Sequence, residues 1–288
     1  MIKKAVIPAA GFGTRVLPMT KSVPKEMLPI VDKPSIQYIV EECVKSGITD
    51  ILIITTRGKE SIADHFDKSP ELEAALSKPG KEDILQQVKG ISNLANIYFL
   101  RQKEAKGLGH AILCAKEFTK DEPFMVLYPD DVIFSQKPVA LQLVEAYNEF
   151  GKACVAIKDV DENAISKYSS LKIDNIRDNI YSVTDMIEKP KKGQEFSLYS
   201  ILGRCLLTKE IYPILESTLP GAGGEIQLTD AMAVMARNGH MNAVDFEGKR
   251  YDMGNKLGFL MANVEQAVNH GEIGEDFRKY IKEFAKSL

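Results

Sequence analysis

Short strand patterns alternate with helix patterns through the first half of the sequence, and this alternation limits the possible folds more than any other feature. The apolar runs Lys4–Ala9 and Ile51–Ile54 are typical of strands buried on both faces. Pro34 begins a helix between them, because a proline at the first helical position loses no hydrogen bond. One face of this helix carries apolar residues at helical spacing, namely Ile36, Ile39, Val40, Cys43 and Val44.

The alternation continues to about residue 150. Further strands are predicted at Asn96–Leu100 and Phe124–Tyr128, and further helices at Gly109–Phe118 and Pro138–Phe150. Such units predict a Rossmann-like α/β fold with a mainly parallel sheet flanked by helices. Ligands of these sheets bind where the strands end, at their carboxyl edge.

The second half of the sequence has a different pattern. From about Ala153, strand patterns follow one another closely, at Cys154–Ile157, Leu171–Asp174, Ile180–Ile187 and Tyr199–Leu207. We expect these strands to add an antiparallel lobe to the same sheet, which then becomes a mixed sheet. Two apolar helical stripes follow at 257–268 and 273–284, and they either cover the core or form a subunit contact. The whole is interpreted as one domain with three segments, 1–150, 151–256 and 257–288.

Composition narrows the class of protein. The 288 residues carry 37 Lys and Arg against 40 Asp and Glu, so a net charge of −3 gives no electrostatic reason to expect a nucleic-acid or anionic-membrane partner. No apolar run is long enough for a signal peptide or a membrane span. The four cysteines form no C-x-x-C pair, which favours reduced thiols and a cytoplasmic protein.

A glycine loop, Ala10–Val16, follows the first strand. It is not a dinucleotide fingerprint, because Val16 stands where the third glycine belongs, and the sequence has no Walker loop either. Residues 1–33 contain six Lys and Arg and only two acids. Glycine-rich backbone beside such a positive excess suits several phosphate groups. The alternative is a tight turn with solvated lysines.

Three short segments place acidic residues at strand ends or in turns. Asp130 and Asp131 follow the strand Phe124–Tyr128, where hard carboxylate oxygens would suit Mg²⁺. Asp252 lies in a predicted turn before a helix, and Glu188 precedes Lys189 at another strand end. Asp130 and Asp131 alone are equally compatible with an ordinary cap or turn, and the other two segments alone favour a plain turn or a solvated strand end.

The loop and the acids belong to a longer series of motifs in a fixed order. The series is Ala9–Pro18, Pro24–Pro29, Arg101–Gln102, Lys106–Ala111, Pro129–Asp130, Glu188–Pro190, Gly203–Arg204 and Arg250–Gly254. From about residue 3 to 285, this series resembles the sugar-nucleotide pyrophosphorylases of the sugar nucleotidyltransferase family, in particular the bacterial branch that forms UDP-glucose. The resemblance implies transfer of the uridylyl group of UTP to α-D-glucose 1-phosphate with release of pyrophosphate.

The resemblance also implies roles for individual residues. Asp130 and Asp252 would hold Mg²⁺, which bridges the nucleotide phosphates. Arg15 and Lys25 would face the triphosphate and stabilise the leaving pyrophosphate, and Lys189 would hold the phosphate of the sugar. No protein nucleophile is needed, so catalysis would consist of positioning and charge neutralisation.

Substrate contacts are implied at further positions. These are Ala10, Gly11, Gly13, Thr14, Glu26, Gln102, Gly107, Glu188 and Gly203. We expect nucleotide binding in segment 1–150 and sugar-phosphate binding in segment 151–256. If the apolar stripes of segment 257–288 do not cover the core, we expect them to form a homodimer or homotetramer contact. UTP and glucose 1-phosphate are then the expected partners.

One segment departs from the family pattern. Where these enzymes have a glycine after the tyrosine near the sugar, this chain has Ser169 after Tyr168. The change leaves open a uridylyl- or thymidylyltransferase for another hexose 1-phosphate. It also leaves open a non-catalytic regulatory protein that binds a sugar nucleotide.

Overall fold

A mixed β-sheet joins the two halves of the chain in the computed structural model, which describes residues 2–288. Within those residues the strands are β1 (Lys4–Pro8), β2 (Pro29–Ile30), β3 (Lys33–Pro34), β4 (Asp50–Thr55), β5 (Asn96–Arg101), β6 (Phe124–Leu127), β7 (Asp131–Phe134), β8 (Ala153–Asp159), β9 (Ser169–Arg177), β10 (Ile180–Glu188), β11 (Tyr199–Leu207), β12 (Met241–Asp245) and β13 (Lys249–Asp252). Nine of them form the main sheet, in the order β5-β4-β1-β6-β11-β8-β12-β10-β9. Two short ribbons, β13-β7 and β2-β3, lie apart from it.

Helices cover both faces of the main sheet. In the described part of the chain they are α1 (Ser35–Lys45), α2 (Glu60–Phe66), α3 (Pro70–Leu76), α4 (Glu82–Ser92), α5 (Leu108–Cys114), α6 (Lys116–Thr119), α7 (Val139–Phe150), α8 (Ile211–Ser217), α9 (Leu228–Arg237), α10 (Lys256–Ala267) and α11 (Gly274–Ala285). Core residues of α1 and α7 pack in one apolar cluster, and those of α5, α8 and α9 in another. No helix between residues 2 and 288 is both long and apolar enough to cross a bilayer.

The first half of the sheet is parallel, as the alternating pattern predicts. β1 lies between β4 and β6 and runs parallel to both, and β5 pairs in parallel with β4. Val6 and Ile53 are fully buried at the centre of this region. The carboxyl ends of β1, β4, β5 and β6 therefore meet at one edge of the sheet.

The second half is mainly antiparallel, as predicted for the lobe, but β12 runs parallel to β8. β11 runs antiparallel between β6 and β8, and β9 pairs with β10 as a hairpin. β11 also carries an irregularity between Ile201 and Cys205, where Gly203 adopts a φ of +81°. The two halves share one continuous sheet.

A buried ion pair fastens this irregular part of β11 to α1. The guanidinium of Arg204 is fully buried and donates hydrogen bonds to both oxygens of Glu42, at 3.0 and 2.7 Å. It also donates to the carbonyl of Gly203 at 2.9 Å. Because a buried charge is costly unless it is paired, the two residues fix the position of the strand next to the acidic turn.

Two local predictions differ from the structure. The helix predicted at Gly109–Phe118 is interrupted, because α5 ends at Cys114 and the short α6 begins at Lys116. Asp131 and Asp252 do not lie in turns. They lie in β7 and β13, which pair as an antiparallel ribbon with Asp131 directly opposite Asp252.

Candidate active site

A cleft of about 440 Å³ opens at the carboxyl ends of β1, β5 and β6. The positions predicted from the sequence that line it are Ala10, Gly11, Thr14, Lys25, Gln102, Gly107 and Asp130. These residues come from four separate stretches of the first half, and the parallel strands bring them together. The cleft therefore lies where an open α/β sheet is expected to bind its ligand.

The two predicted metal acids lie close together at one end of this cleft. The ribbon of β7 and β13 brings Asp252 next to the acidic turn, where the amide of Met253 donates to the carbonyl of Asp130 at 2.8 Å. Arg15 lies between the two carboxylates, 3.5 Å from Asp130 and 3.5 Å from Asp252. The Asp252 carboxylate also accepts a hydrogen bond from the amide of Gly254 at 2.8 Å.

Lys25 makes the shortest ion pair in the cleft. Its Nζ lies 2.8 Å from Oδ2 of Asp130. Burial alone would lower the pKa of Lys25, but the attraction of Asp130 and Glu26 outweighs burial and raises the pKa above its usual value. Burial likewise opposes ionisation of Asp130, yet the neighbouring Lys25 brings its pKa below the usual value. Both groups are therefore charged at neutral pH.

The donor set of the two aspartates fits a divalent metal that also binds substrate. Asp130 and Asp252 offer hard carboxylate oxygens that converge on one guanidinium, so one cation can be shared between them. Among residues 2–288, no group of three or more His, Cys, Asp or Glu side chains is arranged to hold a metal alone. Mg²⁺ commonly takes one or two carboxylates and completes its shell with phosphate and water.

Asp131 has a different environment from Asp130, although the two are adjacent. Its Oδ1 lies 2.5 Å from the guanidinium of Arg250, which also reaches the hydroxyl of Tyr168 at 3.5 Å. Burial raises the pKa of Asp131, and the attraction of Arg250 only partly offsets it. Asp131 thus anchors the ribbon, and it is not one of the two carboxylates that share Arg15.

Gly203 lies directly against Asp131. A Cβ atom at Gly203 would be 2.5 Å from the Cβ of Asp131, and the φ of +81° also disfavours a side chain. The amide of Tyr128 donates to the carbonyl of Gly203 at 2.8 Å. The structure explains this glycine by its contact with Asp131, and the substrate contact that the resemblance implies for Gly203 stays a prediction.

The other end of the cleft is formed by backbone and one amide side chain. Gln102 is nearly buried, and its Nε2 lies 3.3 Å from the carbonyl of Gly107 and 2.9 Å from Nδ1 of His110. At Gly107 the φ is +98°, and a Cβ there would lie 2.6 Å from the Cβ of Glu225. Only glycine therefore lets this turn pack against Glu225. Backbone groups and a side-chain amide are suited to hydrogen bonding with the edge of a nucleobase.

The remaining loop residues hold the shape of the glycine loop. Gly13 adopts a left-handed conformation, with φ +67°, and its carbonyl accepts a hydrogen bond from the hydroxyl of Thr20 at 2.8 Å. Thr14 and Arg15 follow in a short 3-10 turn. The loop thus continues into a series of tight turns before α1 begins at Ser35.

Glu188 and Lys189 lie at the end of β10, as predicted. The carboxylate of Glu188 accepts a hydrogen bond from the hydroxyl of Thr229 at 2.8 Å. Lys189 has a φ of +48°, and its amide donates to the carbonyl of Tyr168 at 2.8 Å. Since Tyr168 also contacts Arg250, the turn that carries Lys189 is connected to the acidic ribbon.

Ser169, the departure from the family pattern, packs against β11. Its side chain is buried, and its Oγ accepts a hydrogen bond from the amide of Ile201 at 3.1 Å and lies 3.2 Å from Oγ of Ser200. The hydroxyl therefore bonds to β11.

Glu26 differs most from its predicted role. Its side chain is fully buried, and both carboxylate oxygens bind Nζ of Lys59, at 2.9 and 2.8 Å. A substrate cannot reach this carboxylate, so direct substrate binding by Glu26 is not supported by the geometry. Burial raises the pKa of Glu26.

Two residues at the site were not selected from the sequence. Lys59 follows Gly58 in the loop after β4, and it looks there like a solvated loop lysine. Arg250 belongs to the motif Arg250–Gly254, in which the resemblance assigns a role only to Asp252. The spacing of Arg250 and Asp252 could have indicated a role for Arg250, because side chains two residues apart in a strand point to the same side.

The fold and the cleft define a transferase that handles nucleotide phosphates. Residues 4–268 match the model of the nucleotidyl transferase family, so the chain belongs to that family. The chain is 49% identical over 281 residues to UTP–glucose-1-phosphate uridylyltransferase 2 of Staphylococcus saprophyticus, and the match covers 98% of this chain and 97% of that protein. The resemblance inferred from the motifs is confirmed.

Solved structures agree with this assignment. A UDP-glucose pyrophosphorylase complexed with UDP-glucose superposes with a TM-score of 0.87 at 40% identity, covering 94% of this chain and 100% of that one. A UTP-bound UGPase from Acinetobacter baumannii gives a TM-score of 0.90 at 35% identity, covering 98% and 99%. The predicted fold class is thereby confirmed.

Proposed function

We propose that this chain transfers the uridylyl group of UTP to α-D-glucose 1-phosphate, giving UDP-glucose and pyrophosphate. The observation that carries the proposal is the cluster of Arg15 and Lys25 with Asp130 and Asp252 beside the glycine loop. A relative that matches almost the whole chain is named for this reaction. Two similar structures contain UDP-glucose or UTP.

The reaction needs positioned charges and no protein nucleophile. An oxygen of the sugar phosphate attacks the α-phosphorus of UTP, and the bond between the α-phosphorus and the bridging oxygen breaks, so that pyrophosphate leaves with the electron pair. Arg15 and Lys25 would bind the departing phosphates, since both are charged groups at the edge of the cleft. Without substrate, Asp130 is their counterion.

Enzymes of this family generally use a divalent metal, and we propose Mg²⁺ here. Asp130 and Asp252 would hold it. When bound, the ion neutralises charge on the nucleotide phosphates and orients them. In the same step Arg15 and Lys25 would exchange their carboxylate partners for phosphate oxygens.

The two substrates are expected at different places, UTP in the cleft and the sugar phosphate at the end of β10, where Glu188 and Lys189 do not line that cleft. The backbone at Ala10 and Gly11, with Gln102 and Gly107, would bind the uracil edge. Lys189 would bind the phosphate of glucose 1-phosphate as a compact charge. Glu188 would accept hydrogen bonds from sugar hydroxyls, because only one of its carboxylate oxygens bonds to Thr229.

Pyrophosphate release tests the proposal directly. We expect release from UTP only when both glucose 1-phosphate and Mg²⁺ are present, and none in EDTA. A panel of hexose 1-phosphates with UTP and dTTP tests the alternative substrates, and a clear preference for dTTP or another hexose would overturn the assignment. Tight binding of UDP-glucose without any release would instead indicate a regulatory protein.

We also propose that the C-terminal helices form a contact between identical subunits in the cytoplasm. Five apolar side chains of these helices are exposed and do not cover the core, namely Leu257, Leu260 and Met261 of α10 and Tyr280 and Phe284 of α11.

The proposed cytoplasmic location is supported by the cysteines. Within residues 2–288 all four are free, as in a reducing compartment.

Sedimentation tests the subunit contact. Leu260→Asp is expected to lower the molar mass of the assembly, because it places a charge within an apolar contact. Leu219→Asp is the matched control, since Leu219 is also exposed but lies outside both helices. A wild-type chain that sediments as a monomer at micromolar concentration would contradict the proposal.

A further inference from the structure

Lys59 is a buried lysine that the proposed reaction does not use, and burial lowers its pKa although Glu26 partly offsets this. Its side chain is only 7% exposed, and its Nζ lies 2.9 and 2.8 Å from the two oxygens of Glu26. The same Nζ donates to the carbonyl of Ala9 at 2.6 Å. An ammonium group has three hydrogens, and these three acceptors use all of them.

The partners of Lys59 belong to the two segments that form the phosphate end of the cleft. Ala9 extends β1 by one residue, with its amide bonded to Ile54 at 2.7 Å, and leads directly into the glycine loop. Glu26 lies in the 3-10 turn Lys25–Met27. Lys59 itself follows β4. One ammonium group thus joins the loop after β1, the turn that carries Lys25 and the loop after β4.

This connection determines the spacing between Lys25 and the glycine loop. A Cβ atom at Gly11 would lie 3.8 Å from Nζ of Lys25, so the lysine passes directly beside the loop backbone. Gly11 is two residues from Ala9, and Lys25 is adjacent to Glu26. A rotation of either segment would therefore change the distance between the loop amides and the Lys25 ammonium.

Charge gives Lys59 a second effect. Glu26 is next to Lys25 in the chain, and its attraction contributes to the raised pKa of Lys25. Lys59 neutralises Glu26 through two hydrogen bonds. Without Lys59, the buried Glu26 carboxylate would lose the partner that favours its charged form and would take up a proton more readily, so its attraction for Lys25 would weaken.

We propose that Lys59 is a positioning residue that holds the Ala9–Gly11 backbone and the Lys25 turn at the spacing required by a nucleoside triphosphate. It contacts no substrate and acts through Ala9 and Glu26. This inference rests on the proposed function, because it assumes that UTP binds along the glycine loop, with its base at Ala10 and Gly11 and its triphosphate toward Lys25.

Lys59→Met tests the proposal, because methionine keeps the length of the side chain and removes both its charge and its donors. We expect the KM for UTP and the Kd of UTP measured by calorimetry to rise at least about tenfold, and kcat to fall by a similar factor. The KM for glucose 1-phosphate should stay within about twofold of the wild-type value. Equal increases in both KM values would contradict a role specific to the nucleotide.

A double variant separates positioning from stability. Lys59→Met with Glu26→Met replaces the buried pair by apolar side chains, an exchange that often restores stability. We expect its Tm to recover toward the wild type while UTP binding stays weak, because Ala9 still lacks its donor. Wild-type UTP affinity in the double variant would overturn the proposal. The double variant also supplies the test if Lys59→Met fails to fold.

Two controls complete the experiment. Leu143→Ala removes a buried side chain of α7 outside the cleft, so it should lower Tm and leave both KM values unchanged. Wild-type enzyme is assayed in parallel for pyrophosphate release. Absence of release from the wild type would contradict the proposed function itself, whereas an active wild type with an unaffected Lys59→Met variant would contradict only the role of Lys59.

Discussion

Asp130→Asn is expected to lower kcat/KM by about 10³-fold, which corresponds to a loss of about 4 kcal/mol of transition-state stabilisation. Asp130 is the carboxylate that both Lys25 and Arg15 contact, at 2.8 and 3.5 Å. Asparagine keeps its shape but loses its charge. The divalent metal would lose one of its two charged ligands, and we expect half-maximal activity to require more Mg²⁺.

The fold should survive this substitution. The carbonyl of residue 130 still accepts its hydrogen bond from Met253, and the side chain keeps its volume. Asp131→Asn is the matched control, because it changes the adjacent acid in the same way but weakens the pair with Arg250. We expect it to lower Tm more and to shift the Mg²⁺ dependence less. Near-normal turnover of Asp130→Asn would exclude Asp130 as a metal ligand.

Lys189→Ala is expected to lower kcat/KM for glucose 1-phosphate by about 10²-fold, while the KM for UTP changes by less than about threefold. Lys189 directly follows β10 and lies outside the lining of the cleft that contains the glycine loop. Removal of the ammonium should therefore weaken the binding of the sugar phosphate and leave the triphosphate site intact. Steady-state kinetics with each substrate varied in turn measures the difference.

Two further variants separate the ammonium of Lys189 from its backbone. Lys189 has a φ of +48°, which glycine tolerates better than alanine. If the ammonium is responsible, Lys189→Gly and Lys189→Ala lose the same activity. Lys192→Ala removes a neighbouring exposed lysine and should have no effect. An unchanged KM and kcat for glucose 1-phosphate in Lys189→Ala would contradict the assignment.

The parallel core could be predicted from the sequence because its strands and helices carry strong local patterns. Val6 and Ile53 are buried where the pattern places them, and α1 begins at Ser35, directly after Pro34. The antiparallel lobe was also predicted, since closely spaced strand patterns leave no room for crossover helices.

The acidic ribbon could not be predicted in this way. β7 and β13 have only four residues each, and Asp131 and Asp252 are far apart in the sequence. A strand pairing of this kind depends on the rest of the fold, and no local pattern specifies it. The same holds for Glu26, because its position beside Lys25 does not reveal whether its side chain points into the cleft or toward Lys59.

The position of β11 has a consequence for how the chain is made. This strand is synthesised long after β6 and β8, yet it fills the gap between them. While the chain emerges from the ribosome, β6 and β8 therefore each keep an unpaired edge until residue 207 is available. Unpaired strand edges invite association with other chains. The incomplete sheet is therefore prone to such association until β11, and then β12 on the other edge of β8, has been synthesised.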